Sequence, residues 1–144
     1  FSSSLILKKT GSERRSMITK FVIPGNPLTR VRHKHDFNDK IWDDYKRESF
    51  TIRRFIEDAM EDKNILLGPL FLEFFFFVGR PRTSTSPYPI NKPPLHKMIH
   101  MYLACLEGLV FNGYQQIFSL KASKIYDGTP RAEIIIVKME GNLE

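Results

Sequence analysis

Cys105 is the only cysteine in 144 residues. That excludes an intramolecular disulfide and a cysteine-based zinc finger, and it fits a reducing intracellular compartment. No apolar run approaches the roughly 18 residues that a membrane-spanning helix needs, so no such span is expected. Nothing repeats along the chain, which removes solenoid architectures. A local absence is more informative: no Asp or Glu occurs between Glu73 and Glu107, although Arg80, Arg82, Lys92 and Lys97 all fall there. A divalent cation in that stretch would meet repulsion where it needs carboxylates.

The length suits one domain with a real core. A formal charge of +6 favours a polyanionic partner, foremost nucleic acid, although an excess of base also serves solubility. The opening stretch FSSSLILKKTGSERRS is rich in Ser and base and holds the single acid Glu13. Such composition resembles a mitochondrial targeting remnant, and a basic disordered tail has the same character. Residues 1–17 are therefore expected to be a tail, and residues 18–144 the folded domain.

Apolar residues at 18–23, closed by Pro24-Gly25-Asn26-Pro27, predict a first strand and a tight turn. Between about residues 43 and 62, Tyr45, Phe50, Ile52, Phe55, Ile56 and Met60 recur near helical spacing and predict an amphipathic helix. The run LFLEFFFFV at 70–78 lies between Gly68-Pro69 and Gly79 and is apolar on both faces, so it is expected to be a central strand covered on both sides. Residues 80–94, with four internal prolines, read as a long mobile connector. In the helix that follows, Leu95, Met98, Ile99, Tyr102 and Leu106 form the buried stripe. His96, Lys97, His100 and Glu107 point elsewhere, and Gly108 terminates it. Two strands at 116–126 and 131–139, joined around Asp127-Gly128, predict a hairpin. The fold class expected is α+β: a single domain with a mixed β-sheet backed by two helices.

Three segments, KFVIPGNPLTRVR, KPPLHKMIHMYLACLEGLVFNGYQQI and LKASKIYDGTPRAEI, together resemble the RusA family of Holliday-junction resolvases. Gly25, Pro27, Arg30 and Arg32 match that family's opening strand, turn and basic residues. Lys92, Pro93, Gly108, Gln116 and Ile117 match its central signature without a gap. The resemblance implies a RusA-like fold, contact with a nucleic-acid backbone, and homodimerisation as an available state. The departures fall on the chemistry. Pro94 and His96 stand at the two metal-binding aspartates, Lys97 at an asparagine, His100 at the catalytic lysine, and Gly113 and Tyr114 at a second pair of aspartates. Magnesium-dependent phosphodiester hydrolysis requires hard oxygen ligands, so the resemblance implies a pseudoenzyme, with no catalytic residue, metal or cofactor.

His96 and His100, at i and i+4, share a helix face that could grip zinc, but no nearby Cys, Asp or Glu completes the set, and a solvated pair is the expectation. Asp36, Asp39, Asp43 and Asp44 form the one dense acidic cluster, which the helix dipole and capping already explain. If the family fold holds, Arg30, Arg32, Arg80, Arg82, Lys92, Lys97 and Lys124 converge on a cleft suited to phosphates; scattered solvated bases are the plain alternative. Tyr88 and Tyr114 could stack on bases, whereas Tyr102 belongs in the core. The resulting expectation is an inactive RusA-like, nucleic-acid-binding or structural subunit of a larger assembly such as a mitochondrial ribosome, with RNA or DNA backbone and other protein subunits as partners. The alternatives are a divergent Mg²⁺-dependent junction endonuclease and a protein–protein scaffold in an organellar complex.

Overall fold

The computed structural model describes residues 2–8, 15–27, 39–60, 64–91 and 93–139. Along the chain run β1 (Ser2–Lys8), β2 (Arg15–Pro24), α1 (Asp39–Ala59), β3 (Leu70–Val78), α2 (Leu95–Leu106), β4 (Ile117–Tyr126) and β5 (Arg131–Met139). The five strands form one mixed sheet in the order β1-β2-β5-β3-β4. Only β3 and β4 run parallel; the other neighbours are antiparallel. The architecture is α+β, as expected.

Alternation along the strands decides where the core lies. Leu70, Leu72, Phe74 and Phe76 on β3, Ala132, Ile134 and Ile136 on β5, and Phe21 and Ile23 on β2 turn one face inward. Ile52 and Ile56 of α1 pack there, together with Met98, Met101, Tyr102, Cys105 and Leu106 of α2. Phe76 meets the Tyr102 ring at 5.3 Å. Each such large apolar side chain stabilises the fold by about 1.5–3 kcal/mol.

The expected two-sided cover of β3 is not found. Both helices use the same sheet face, so Phe71, Phe75 and Phe77 on the other are only half-buried. Phe75 and Phe77 stack at 6.4 Å, and the Arg131 guanidinium lies 3.9 Å from the Phe77 ring centre. Neighbouring side chains shelter these rings where no helix does.

The expected hairpin is also not found, although both strands are. Strand β4 pairs parallel with β3, and β5 pairs with β2 and the opposite edge of β3. Parallel pairing requires a long crossover, which the connector and α2 supply. Residues 127–130 then step over the end of β3, where Asp127 N–H donates to the Val78 carbonyl at 2.9 Å. Composition explains the exchange. Strand β4 carries Ser119, Lys121 and Ser123 and suits an edge, whereas β5 buries Ala132, Ile134 and Ile136 and needs a neighbour on each side.

At the N-terminus, Ser2–Lys8 add an edge strand antiparallel to β2, where the sequence suggested a tail. Strand β2 extends the expected first strand to Arg15–Pro24, and α1 begins before the expected residue 43, at Asp39.

Candidate nucleic-acid interface

Register brings several chain ends together. Val78 pairs with Tyr126, Phe77 with Arg131, and Pro24 with Arg131, so β2, β3 and β4 finish, and β5 begins, at one end of the sheet. The connector 80–94 leaves from this end and delivers the N-terminus of α2 beside it.

The connector is fastened down. Lys124 Nζ donates to the Asn91 and Pro93 carbonyls at 2.6 and 2.8 Å. The Tyr126 hydroxyl shares a hydrogen bond with Ser84 Oγ at 3.2 Å and accepts one from Asn91 Nδ2 at 3.3 Å. Arg80 lies 4.5 Å over the Tyr126 ring and donates to the Ser86 carbonyl at 2.8 Å. Burial lowers the Lys124 ammonium below its ordinary range. A connector expected to be mobile is thus a braced loop.

Those contacts redistribute the expected phosphate ligands. Arg80, Arg82, Lys97 and Lys124 all belong to this sheet end, but Arg80 and Lys124 brace the loop. Arg82 and Lys97 are exposed. Arg30, Arg32 and Lys92 lie outside the described residues. Acids at this end are neutralised: Asp127 Oδ2 accepts from Arg131 at 2.7 Å, and Glu133 pairs with Arg131 at 2.6 Å and Lys20 at 3.1 Å.

Helix α2 begins after Pro94 with no side-chain cap and no acid in its first turn. Its positive end is therefore uncompensated by side chains of its own first turn. His96 and His100 are exposed. Among the described residues no three of His, Cys, Asp and Glu come together as a metal site. Asp36 lies outside the described residues, while Asp39, Asp43 and Asp44 belong to the opening turns of α1.

Gly113 and Tyr114 are elsewhere. They precede β4 at its far end, whereas Pro94 adjoins Pro93, whose carbonyl is held by Lys124. Seven strand steps separate Ile117 from Lys124, or about 23 Å at ~3.3 Å per residue. Pro94 and His96 therefore lie toward one end of β4, and Gly113 and Tyr114 toward the other. A Cβ at Gly113 would run into the Gln115 side chain. Tyr114 is partly exposed and packs against Phe111 at 6.0 Å, Tyr102 is buried, and Tyr88 is exposed.

Two residues take anchoring roles that the sequence reading did not assign to them. Gln116 Oε1 accepts from the N–H groups of Asn112 and Gly113 at 2.8 and 3.2 Å, and Nε2 donates to the Leu66 and Gly68 carbonyls at 2.9 and 3.1 Å. Two bonds accepted by one oxygen and two donated by one nitrogen match a side-chain amide. Arg53 Nη1 donates to the Cys105 and Glu107 carbonyls, each at 3.2 Å, placing a cation on the C-terminus of α2. Beside it, burial pushes the Cys105 thiol up, against smaller opposing effects of the Ser49 hydroxyl and Arg53.

No protein-family model and no curated protein matches the chain.

Proposed function

We propose that the chain is a catalytically inactive RusA-like domain that holds a nucleic-acid backbone at this basic sheet end, as a subunit of a larger ribonucleoprotein such as a mitochondrial ribosome. One observation carries the proposal. The acid-free segment between Glu73 and Glu107 supplies the exit of β3, the braced loop and α2, so exposed Arg82 and Lys97 accompany an α2 N-terminus with no acid in its first turn. Cations and helix N-termini position phosphates without reading bases. The separation of Pro94 and His96 from Gly113 and Tyr114, none of which is a carboxylate, supports a binding role over hydrolysis.

Arg82→Glu combined with Lys97→Glu tests this by fluorescence anisotropy on RNA and DNA of unrelated sequences across a salt series. Affinity is expected to fall for every sequence, and each lost phosphate contact to remove about 0.7–0.9 from the logarithmic salt slope. The parent chain with Mg²⁺ should leave four-way junction DNA intact. Unchanged affinity and slope in a folded variant, or metal-dependent cleavage that survives further purification, would overturn the reading.

A further inference from the structure

The braced loop ends in a tip of the opposite character. Tyr88 and Ile90 are 72% and 79% exposed, more than any other large hydrophobic residue described. Flexible apolar side chains could fold back onto the sheet, yet the tip stands on a base held by Arg80, Tyr126 and Lys124. Its backbone is occupied as well. Tyr88 N–H donates to Ser86 Oγ at 3.1 Å, and Ile90 N–H to the Tyr88 carbonyl at 2.9 Å, closing a turn around Pro89.

These details favour a protein partner over nucleic acid at the tip. A phosphate-binding loop aims free N–H groups at its ligand. In residues 87–90 two positions are proline and the other two N–H groups are taken. Ile90 has no ring to stack on a base. Apolar side chains fixed on a rigid support lose little entropy on docking, and exposed apolar patches mark protein contacts. Charge narrows the partner: exposed Arg82 precedes the tip, exposed Lys97 follows it, and no acid lies between Glu73 and Glu107. The complementary surface is acidic.

We propose that Tyr88 and Ile90 form a preformed anchor that seats in an apolar pocket rimmed by Asp and Glu on a partner protein. This goes beyond backbone binding by the sheet end: Arg82 and Lys97 would serve both contacts, whereas Tyr88 and Ile90 serve only this one, so an uncharged change at position 90 separates the two readings. The test places the photo-crosslinker p-benzoylphenylalanine at position 90 of the full chain, expressed in its native cells, with crosslinked peptides sequenced by mass spectrometry. The expected product joins position 90 to a protein segment in which apolar residues adjoin Asp or Glu. Adding Arg82→Glu and Lys97→Glu should lower its yield about tenfold. Ile90→Ser, which adds no charge to the sheet end, should leave the melting temperature and nucleic-acid binding at parent values while abolishing co-purification of the crosslinked partner. Crosslinks to nucleic acid, an acid-free partner segment, a yield insensitive to charge reversal, retained partner binding by Ile90→Ser, or no crosslink at all would each overturn the proposal. Loss of nucleic-acid binding by folded Ile90→Ser would overturn it too.

Discussion

Gln116→Glu should destabilise the fold while hardly changing side-chain volume. The substitution keeps an oxygen for the Asn112 and Gly113 N–H groups but puts a second oxygen where Nε2 now donates to the Leu66 and Gly68 carbonyls. Two hydrogen bonds are lost, and carboxylate oxygen faces carbonyl oxygen. At about 1 kcal/mol per neutral bond, plus the cost of opposing acceptors, the loss is about 2–4 kcal/mol. Water reaches the Gly68 contact, which favours the lower half of that range. An unfolding entropy of ~2.1 cal/mol/K per residue gives about 0.3 kcal/mol/K for this chain length, so 2–3 kcal/mol corresponds to a melting temperature lower by about 7–10 °C. Calorimetry at neutral pH on parent and variant reads the shift directly. A variant melting within about 2 °C of the parent would refute the reasoning, because the donor half of the amide would then contribute almost nothing.

Lys124→Met keeps the aliphatic stem but removes the donors to Asn91 and Pro93, so hydrogen exchange and protease cleavage within residues 80–91 should accelerate; unchanged protection would mean that the loop does not depend on this brace. For Glu133, burial alone would raise the carboxyl, but hydrogen bonds and charges from Arg131 and Lys20 outweigh it and hold it below its ordinary range. A depressed folded-state value stabilises the protein at neutral pH, and that contribution is lost as pH falls through the folded-state value. Glu133→Gln should therefore flatten the acid limb of stability, measured as urea midpoints from about pH 7 to about pH 3, and parallel profiles for parent and variant would contradict the assignment.

Sequence pattern located the elements far better than their partners. The run at 70–78 and the helix after Pro94 carry sharp punctuation, Gly68-Pro69, Gly79 and Gly108, and the last of these adopts φ +84° where the helix ends. Asp127-Gly128 suggested a hairpin because turn chemistry is local. The choice of neighbour was made by burial, which draws β5 between β2 and β3 and leaves lysine-bearing β4 at the edge. Leu5-Ile6-Leu7 could have flagged β1, but the surrounding Ser and Lys concealed the run. At the proposed interface, Arg82 and Lys97 could be read from charge alone. The internal roles of Arg80 and Lys124 could not, since their partners are the carbonyls of Ser86, Asn91 and Pro93, and a carbonyl has no residue signature. Gln116 was visible only as a motif letter for the same reason.

That distinction decides which basic residues can report on electrostatics. Arg80→Glu would remove the guanidinium from the Tyr126 ring and the Ser86 carbonyl while adding a negative charge, so weakened binding would mix a loosened loop with a lost phosphate contact. Lys124→Glu would set a carboxylate against the Asn91 and Pro93 carbonyls and disturb the α2 N-terminus as well. Both would also displace the tip that carries Tyr88 and Ile90, so the two proposed contacts would change together. Arg82 and Lys97 are exposed and make no hydrogen bond or ion pair through their side chains among the described residues. Charge reversal there changes the field around the sheet end while the brace stays closed. A salt slope that changes at Arg82 and Lys97, with loop protection intact, is therefore attributable to ionic contact; one that changes only when Arg80 or Lys124 is altered would identify the loop's shape as what the partner reads.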